Sequence, residues 1–253
     1  MKTRVDHCEI QSGDASLEGT LLTPATVIPG VLFVHGWGGS QAQDLARATA
    51  AAGLGCACLT FDLRGDARDM AHSTTVTREQ NLADLVAAYD YLASERGVDP
   101  RAMVVVGTSY GAYLAALLTM VRRVRWLALH APAIYKDEHW DKPKKSLNAD
   151  PALMDYRRSK VSPAGNRALA ACAAFQGDVL VVESEHDEII PRQVVANYVA
   201  AFTSAHSVAS HVIKGADHPL TSAAAQAAYS GLLAGWITKM VIGARVPQLA
   251  VPA

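Results

Sequence analysis

Met103-Val104-Val105-Val106-Gly107-Thr108-Ser109-Tyr110-Gly111-Ala112-Tyr113-Leu114-Ala115-Ala116-Leu117-Leu118 joins an apolar, strand-like run to a segment rich in good helix formers. Between them stands a Gly-x-Ser-x-Gly, and in that setting the pentapeptide reads as a nucleophile elbow. The serine of such an elbow occupies a tight, strained turn with its hydroxyl exposed. Gly107 and Gly111 have a mechanical reason there, because a side chain at either position would collide with neighbouring backbone where strand and helix approach.

Outward from this stretch, strands and helices alternate. Two opening strands are expected near 5–11 and 16–23, joined by the turn-prone Ser12-Gly13-Asp14. Val31-Leu32-Phe33-Val34 is a continuous apolar run, as in a parallel strand buried on both faces. A glycine-rich loop, a helix over 41–52 and a strand over 56–61 follow. Leu82, Leu85, Val86, Tyr89 and Leu92 recur at helical spacing within a helix over 77–96. Thr77 and Gln80 match a capping box at its start, and Gly97 ends it, with Pro100 beyond. Further strands are expected at 103–106, 126–129, 179–182 and 208–214, and helices at 166–175, 193–202 and 222–240. Residues after Val241 read as a loose tail. Alternation of this kind implies βαβ units and a parallel sheet, whose ligands bind at the carboxyl ends of the strands.

Bulk properties narrow the classes. The 253 residues are 50% hydrophobic and 19% charged, which suits one α/β domain spanning the chain, with a large core. A formal net charge of −1 gives no electrostatic reason to expect nucleic acid or an anionic membrane as partner. No apolar run approaches the roughly 18 residues of a membrane span, and Met1–His7 lacks the apolar core of a signal peptide. A cytoplasmic location is the default expectation. Cys8, Cys56, Cys58 and Cys172 show neither Cys-x-x-Cys nor zinc-ligand spacing, so they are expected as structural thiols, with no metal.

A serine hydroxyl at neutral pH needs an adjacent base, itself oriented by a third group. Gly215-Ala216-Asp217-His218-Pro219-Leu220 follows the last strand and supplies a histidine. Among the nine histidines, His186, His130 and His211 are rivals. His186 adjoins an acid it would diverge from, His130 ends a strand before Ala131-Pro132, and His211 lies inside one. The loop Glu183-Ser184-Glu185-His186-Asp187-Glu188 supplies the carboxylate, with Asp187 favoured over Glu183, Glu185 and Glu188 by its place before Ile190-Pro191. His35-Gly36-Trp37-Gly38-Gly39-Ser40 lies where a donor to an oxyanion belongs. The backbone amides of Trp37 and Tyr110 are the candidate pair, with His35 bracing the loop. A phosphate-binding loop is disfavoured, since neither Gly-x-x-x-x-Gly-Lys nor Gly-x-Gly-x-x-Gly is present.

The order Ser109, Asp187, His218, with His-Gly-Trp-Gly-Gly at 35–39, resembles the α/β-hydrolase superfamily over roughly residues 16–240. Within it the chain is similar to dienelactone-hydrolase-like and cinnamoyl/feruloyl-esterase-like serine hydrolases, and to the catalytic domains of prolyl-oligopeptidase-type peptidases. The resemblance implies an eight-stranded, mostly parallel sheet with its second strand antiparallel, flanking helices and no cofactor. It implies a serine esterase acting on a small-molecule ester through an acyl-enzyme, its oligomeric state left open. An amidase or peptidase, a thioesterase or acyltransferase, and a non-catalytic binding protein are the alternatives. Ser109 argues against the aspartate-nucleophile enzymes of this fold.

There are departures from the pattern. Asp66-Ala67-Arg68-Asp69 replaces a His-Gly-x-Ser found in many relatives and reads as surface ion pairs, while Thr108 and Tyr110 replace a His and a Gln. The segment 131–165 falls where relatives carry a cap. Its Tyr135 and Trp140 are candidate substrate contacts, with plain packing as the alternative. Its Lys142, Lys144, Lys145, Arg157, Arg158 and Lys160 are offset by Asp137, Glu138, Asp141, Asp150 and Asp155 and read as a solvated charged surface.

Overall fold

The apolar runs become the inner strands of one sheet. A computed structural model describes residues 3–24, 28–66 and 70–245. Its strands are β1 (Thr3–Ser12), β2 (Ala15–Pro24), β3 (Ile28–Val34), β4 (Ala57–Phe61), β5 (Val98–Thr108), β6 (Trp126–His130), β7 (Asp178–Ser184) and β8 (Ser207–Ile213). They form an eight-stranded sheet in the order β1-β2-β4-β3-β5-β6-β7-β8. Only β2 runs antiparallel, against both β1 and β4, and the other pairings are parallel. The hairpin between β1 and β2 turns through Gly13, whose φ of 60° suits glycine.

The helices are α1 (Leu45–Gly53), α2 (Arg78–Ser94), α3 (Tyr110–Leu118), α4 (Lys145–Asn148), α5 (Leu153–Arg158), α6 (Arg167–Ala174), α7 (Arg192–Ala201) and α8 (Ala223–Arg245). Side chains alternate along the central strands and feed two cores. Leu32, Val34 and Val105 pack with α2, α3, α6 and α7, whereas Val31, Phe33, Val104 and Val106 pack with α1 and α8. Burial on both faces explains why these strands read as unbroken apolar runs. Among the described residues, no helix is long and apolar enough to cross a membrane.

Several boundaries differ from the sequence reading. The helix expected at 41–52 is a 3₁₀ turn, Gln41–Gln43, followed by α1. β5 begins at Val98 and carries Pro100 before the apolar run, with a register shift opposite Pro29/Gly30. α8 continues to Arg245; the tail at 246–253 lies outside the described residues. The Thr77–Gln80 capping box at the start of α2 is present in both directions.

Segment 131–165 leaves Lys142, Lys145, Arg158 and Lys160 exposed, as a charged surface would, but Lys144 and Arg157 are buried and, with Arg78 from α2, pack the segment down. Fully buried Arg78 of α2 donates to the carbonyls of Lys136 (2.7 Å) and Glu138 and lies over the Trp140 ring. Arg157 donates to the carbonyls of Ile134 (3.4 Å) and Ile189 (3.2 Å). Lys144 is wholly buried, with its Nζ 2.5 Å from Asp66 Oδ2. A guanidinium spreads its charge over several donors, so carbonyl oxygens can satisfy it where no carboxylate is present.

The register brings the carboxyl ends of β3, β5 and β6 level: Val34 pairs with Gly107, and Thr108 with His130. The loops that follow these strands therefore open onto one rim.

Candidate active site

Ser109 sits between β5 and α3 at φ 54°, ψ −114°, a conformation that costs a side-chain-bearing residue roughly 1–3 kcal/mol. The surroundings hold it there. Its N–H donates to the His130 carbonyl (2.9 Å), and its carbonyl accepts from Ala112, Tyr113 and Ala133. A Cβ at Gly107 would lie 2.6 Å from backbone of Ala112 and Gly111, and one at Gly111 would lie 2.2 Å from the Val34 carbonyl oxygen. Both glycines are therefore required by close approach.

His218, in the loop after β8, comes to this serine. Ser109 Oγ–H donates to His218 Nε2 (3.0 Å), and His218 Nδ1–H donates to Asp187 Oδ2 (2.6 Å). An ionised carboxylate only accepts, so it fixes the proton on Nδ1 and leaves the Nε2 lone pair toward the hydroxyl. The other Asp187 oxygen accepts from the amides of Ile189 (2.9 Å) and Ile190 (2.7 Å). This local turn aims the carboxylate and explains why Asp187, rather than its acidic neighbours, faces the histidine. Glu185 instead pairs with Lys214 and accepts from the Gly215 amide, and Glu183 lies 3.4 Å from Arg192. The rival His186 is exposed beside Glu185. The Asp187 and His218 side chains are 4% and 14% exposed, so their contact is shielded from water, which strengthens it.

His35 holds the opposite wall. Its Nδ1–H donates to the Gly36 carbonyl (2.7 Å), and its Nε2 accepts from the Leu63 amide (3.0 Å). The Gly36 carbonyl also accepts from the Gly39 amide (3.0 Å). In a trans peptide, pinning that carbonyl points the Trp37 N–H the other way. Gly36 itself packs on the serine: a Cβ there would be 3.2 Å from Ser109 Cβ. The Trp37 and Tyr110 amides hydrogen-bond to no other described residue, and the Tyr110 amide is at the first position of α3, where no intrahelical acceptor exists.

A cavity of about 490 Å³ opens beside Ser109, lined among others by Trp37, Gln43, Arg47, His130, Leu220 and Gln226. Tyr135 and Trp140 do not line it. Tyr135 is buried against the rings of Tyr110 and Tyr113, and the Trp140 ring packs with the guanidinium groups of Arg78 and Arg167, 4.9 and 5.3 Å from its centre. His130, the rival at the end of β6, is fully buried. Its Nε2 bonds Ser184 Oγ (3.0 Å) and its ring lies on Tyr229. Burial first, then the proximity of His218, lowers its pKa from 6.5 to about 3, so it stays neutral.

Asp66, like Lys144, is placed differently from the sequence reading. Rather than forming a surface pair, it is buried, bonded to Lys144 and accepting from the Gly38 amide (2.9 Å); residues 67–69 lie outside the described residues. Burial draws the Lys144 ammonium below the ordinary lysine pKa, against the opposing pull of Asp66. Nothing in a Lys-Pro-Lys-Lys stretch separates the buried lysine from the exposed ones. Among the described residues, no group of three or more His, Cys, Asp or Glu side chains is arranged to hold a metal ion.

Comparison with known proteins agrees with the fold. An uncharacterized protein of Mycobacterium tuberculosis is 29% identical over 174 residues, 68% of this chain and 57% of that protein; the chain thus covers little more than half the length of that curated relative. The dienelactone hydrolase of Anabaena variabilis superposes with a TM-score of 0.69 at 18% identity, covering 94% of this chain and 99% of the other. Est1E of Butyrivibrio proteoclasticus, solved with ferulic acid bound, superposes with a TM-score of 0.69 at 15% identity, covering 93% and 98%. At such identities these likenesses speak to the fold. The sequence model described as the prolyl oligopeptidase family matches residues 42–243. With the strand order and the turn at Ser109, that match places the chain in the prolyl oligopeptidase family of α/β-hydrolases.

Proposed function

We propose that the chain is a serine hydrolase that cleaves carboxylic esters, with Ser109, His218 and Asp187 as its catalytic residues. One observation carries the reading: a continuous hydrogen-bond line from Ser109 Oγ through His218 to Asp187, beside two amides with no acceptor among the described residues. Ser109 Oγ attacks the ester carbonyl carbon while its proton passes to His218 Nε2, and Asp187 stabilises the resulting imidazolium. The carbonyl oxygen becomes an oxyanion between the Trp37 and Tyr110 amides, each donor contributing roughly 3–4 kcal/mol to the barrier reduction. The carbon–oxygen bond to the leaving group then breaks, and the Nε2 proton goes to that oxygen. Water attacks the acyl-enzyme with His218 again as base, releasing the acid and restoring Ser109. Segment 131–165 acts as a cap beside the site.

The test is hydrolysis of p-nitrophenyl butyrate with fluorophosphonate labelling. Wild type should turn over and label at Ser109. Ser109→Ala should lose at least about 10³-fold in kcat and all labelling, with little change in melting temperature. Retained turnover in that variant refutes the nucleophile. The family match favours a second reading, an amidase or peptidase. A p-nitroanilide bearing the same acyl group separates the two, since equal kcat/KM on anilide and ester would favour the peptidase.

A further inference from the structure

Trp37 and Tyr110 share one buried cation. Lys144 Nζ lies 5.0 Å from the centre of the Trp37 ring and 5.2 Å from that of Tyr110. Its partner Asp66 holds the next amide of the loop, Gly38 N–H, at 2.9 Å. The lysine comes from segment 131–165, whose backbone is fastened at the same place: the Lys144 amide donates to the Val76 carbonyl (2.7 Å), and Thr77 bridges Pro143. A buried ion pair rarely adds net stability over apolar side chains of similar volume, because desolvating both charges offsets their attraction. Such a pair needs another explanation, and here its contacts converge on the two residues whose amides are proposed to hold the oxyanion.

We infer that Asp66 and Lys144 are positioning residues for the oxyanion-binding amides. Gly38 has a φ of 71° and open space around its α-carbon, so local sterics do not fix the Trp37–Gly38 peptide. The Asp66 carboxylate does. Accepting from Gly38 N–H sets the plane of that peptide, and with Gly36 pinned by His35 and Gly39 it sets the direction of the Trp37 N–H between them. Lys144 orients the carboxylate and braces the indole and phenol rings on either side. The insertion thereby becomes part of the machinery: displacing it withdraws Lys144 and loosens the loop.

This inference rests on the hydrolase reading above, and its test keeps the two apart. The double variants Asp66→Asn/Lys144→Met and Asp66→Ala/Lys144→Met both avoid an unpaired buried charge, so both should fold. The first keeps an acceptor for Gly38 N–H, and the second does not. Assayed on p-nitrophenyl butyrate below each variant's melting transition, the alanine double variant should lose about 30-fold in kcat with KM within twofold. That is less than the roughly 100–1,000-fold expected for deleting a donor outright. The asparagine variant should recover most of the loss. Inhibition by a trifluoromethyl ketone of the same acyl chain, whose adduct carries the oxyanion, should weaken in proportion to kcat/KM. A purely structural pair would lower the melting temperature while leaving kcat and the ketone inhibition constant unchanged, and that result overturns the inference alone. If the asparagine and alanine variants lose activity equally, the role assigned to the Gly38 acceptor is wrong. An inactive wild type that does not label at Ser109 removes both readings.

Discussion

Replacing Asp187 with asparagine should disable the chain without unfolding it, because the turn around residue 187 dictates which way the amide faces. In wild type, one carboxylate oxygen accepts from the Ile189 and Ile190 amides at 2.9 and 2.7 Å, and the other accepts from His218 Nδ1–H at 2.6 Å. An asparagine must keep its carbonyl oxygen toward the two backbone amides. Turning its NH₂ toward them would forfeit two hydrogen bonds, each worth about 1 kcal/mol, and set donors against donors. The NH₂ therefore faces His218 Nδ1, which must become an acceptor, and the imidazole proton moves to Nε2. There it confronts the Ser109 hydroxyl, and the base can no longer take the serine's proton. The expected loss is about 10⁴ in kcat, or about 5.5 kcal/mol of barrier at 1.36 kcal/mol per decade. Initial rates on p-nitrophenyl butyrate at pH 8 measure it, and fluorophosphonate labelling should slow in parallel while the melting temperature stays close to wild type. A kcat within tenfold of wild type would refute the reasoning, since it would mean His218 keeps its productive tautomer without the carboxylate.

Two glycine substitutions should differ sharply by thermal denaturation. Gly111→Ala drives a Cβ to within 2.2 Å of the Val34 carbonyl oxygen and should destabilise by more than about 3 kcal/mol. Gly38→Ala meets nothing within 4 Å and strains only its φ of 71°, so it should cost about 1–2 kcal/mol. Stability should also respond to His130. Its folded pKa of about 3 lies below the unfolded 6.5, so the unfolded state binds the extra proton between those values. The unfolding free energy is then unaffected by His130 above pH 6.5 and falls as the pH drops toward 3, by roughly 5 kcal/mol at 1.36 kcal/mol per pH unit. Urea titrations of wild type and His130→Gln from pH 7 to 4 should show a shallower decline in the variant. Equal slopes would rule out this origin.

The features legible in the sequence were those set by local pattern. Val31–Val34 and Val179–Val182 read as buried strands because both faces are covered, and the elbow glycines announced a close approach that their neighbours impose. Ser109, Asp187 and His218 could be picked out because each had to follow a strand. Residues whose surroundings come from distant parts of the chain escaped this logic. Lys144 and Asp66 are 78 positions apart, and no spacing rule links them. Tyr135 and Trp140 were recognisable as large aromatic groups, yet Arg78, Arg157 and Arg167 decide what they pack against. Charge balance over 131–165 concealed that its cations divide between solvent and interior. The early start of β5 was hidden by Pro100, which occupies the strand beside a register shift rather than ending it.

The carbonyl oxygen of Ser109 receives three backbone amides, two from α3 and one from Ala133. The polypeptide leaving β6 is thus stitched to Ser109 before the rest of segment 131–165 departs. Anyone grafting a lid onto this scaffold in place of that segment must splice beyond the stitch, after Tyr135, and not at the end of the strand. A shorter excision would move the hydroxyl itself and spoil the alignment the new lid was meant to serve.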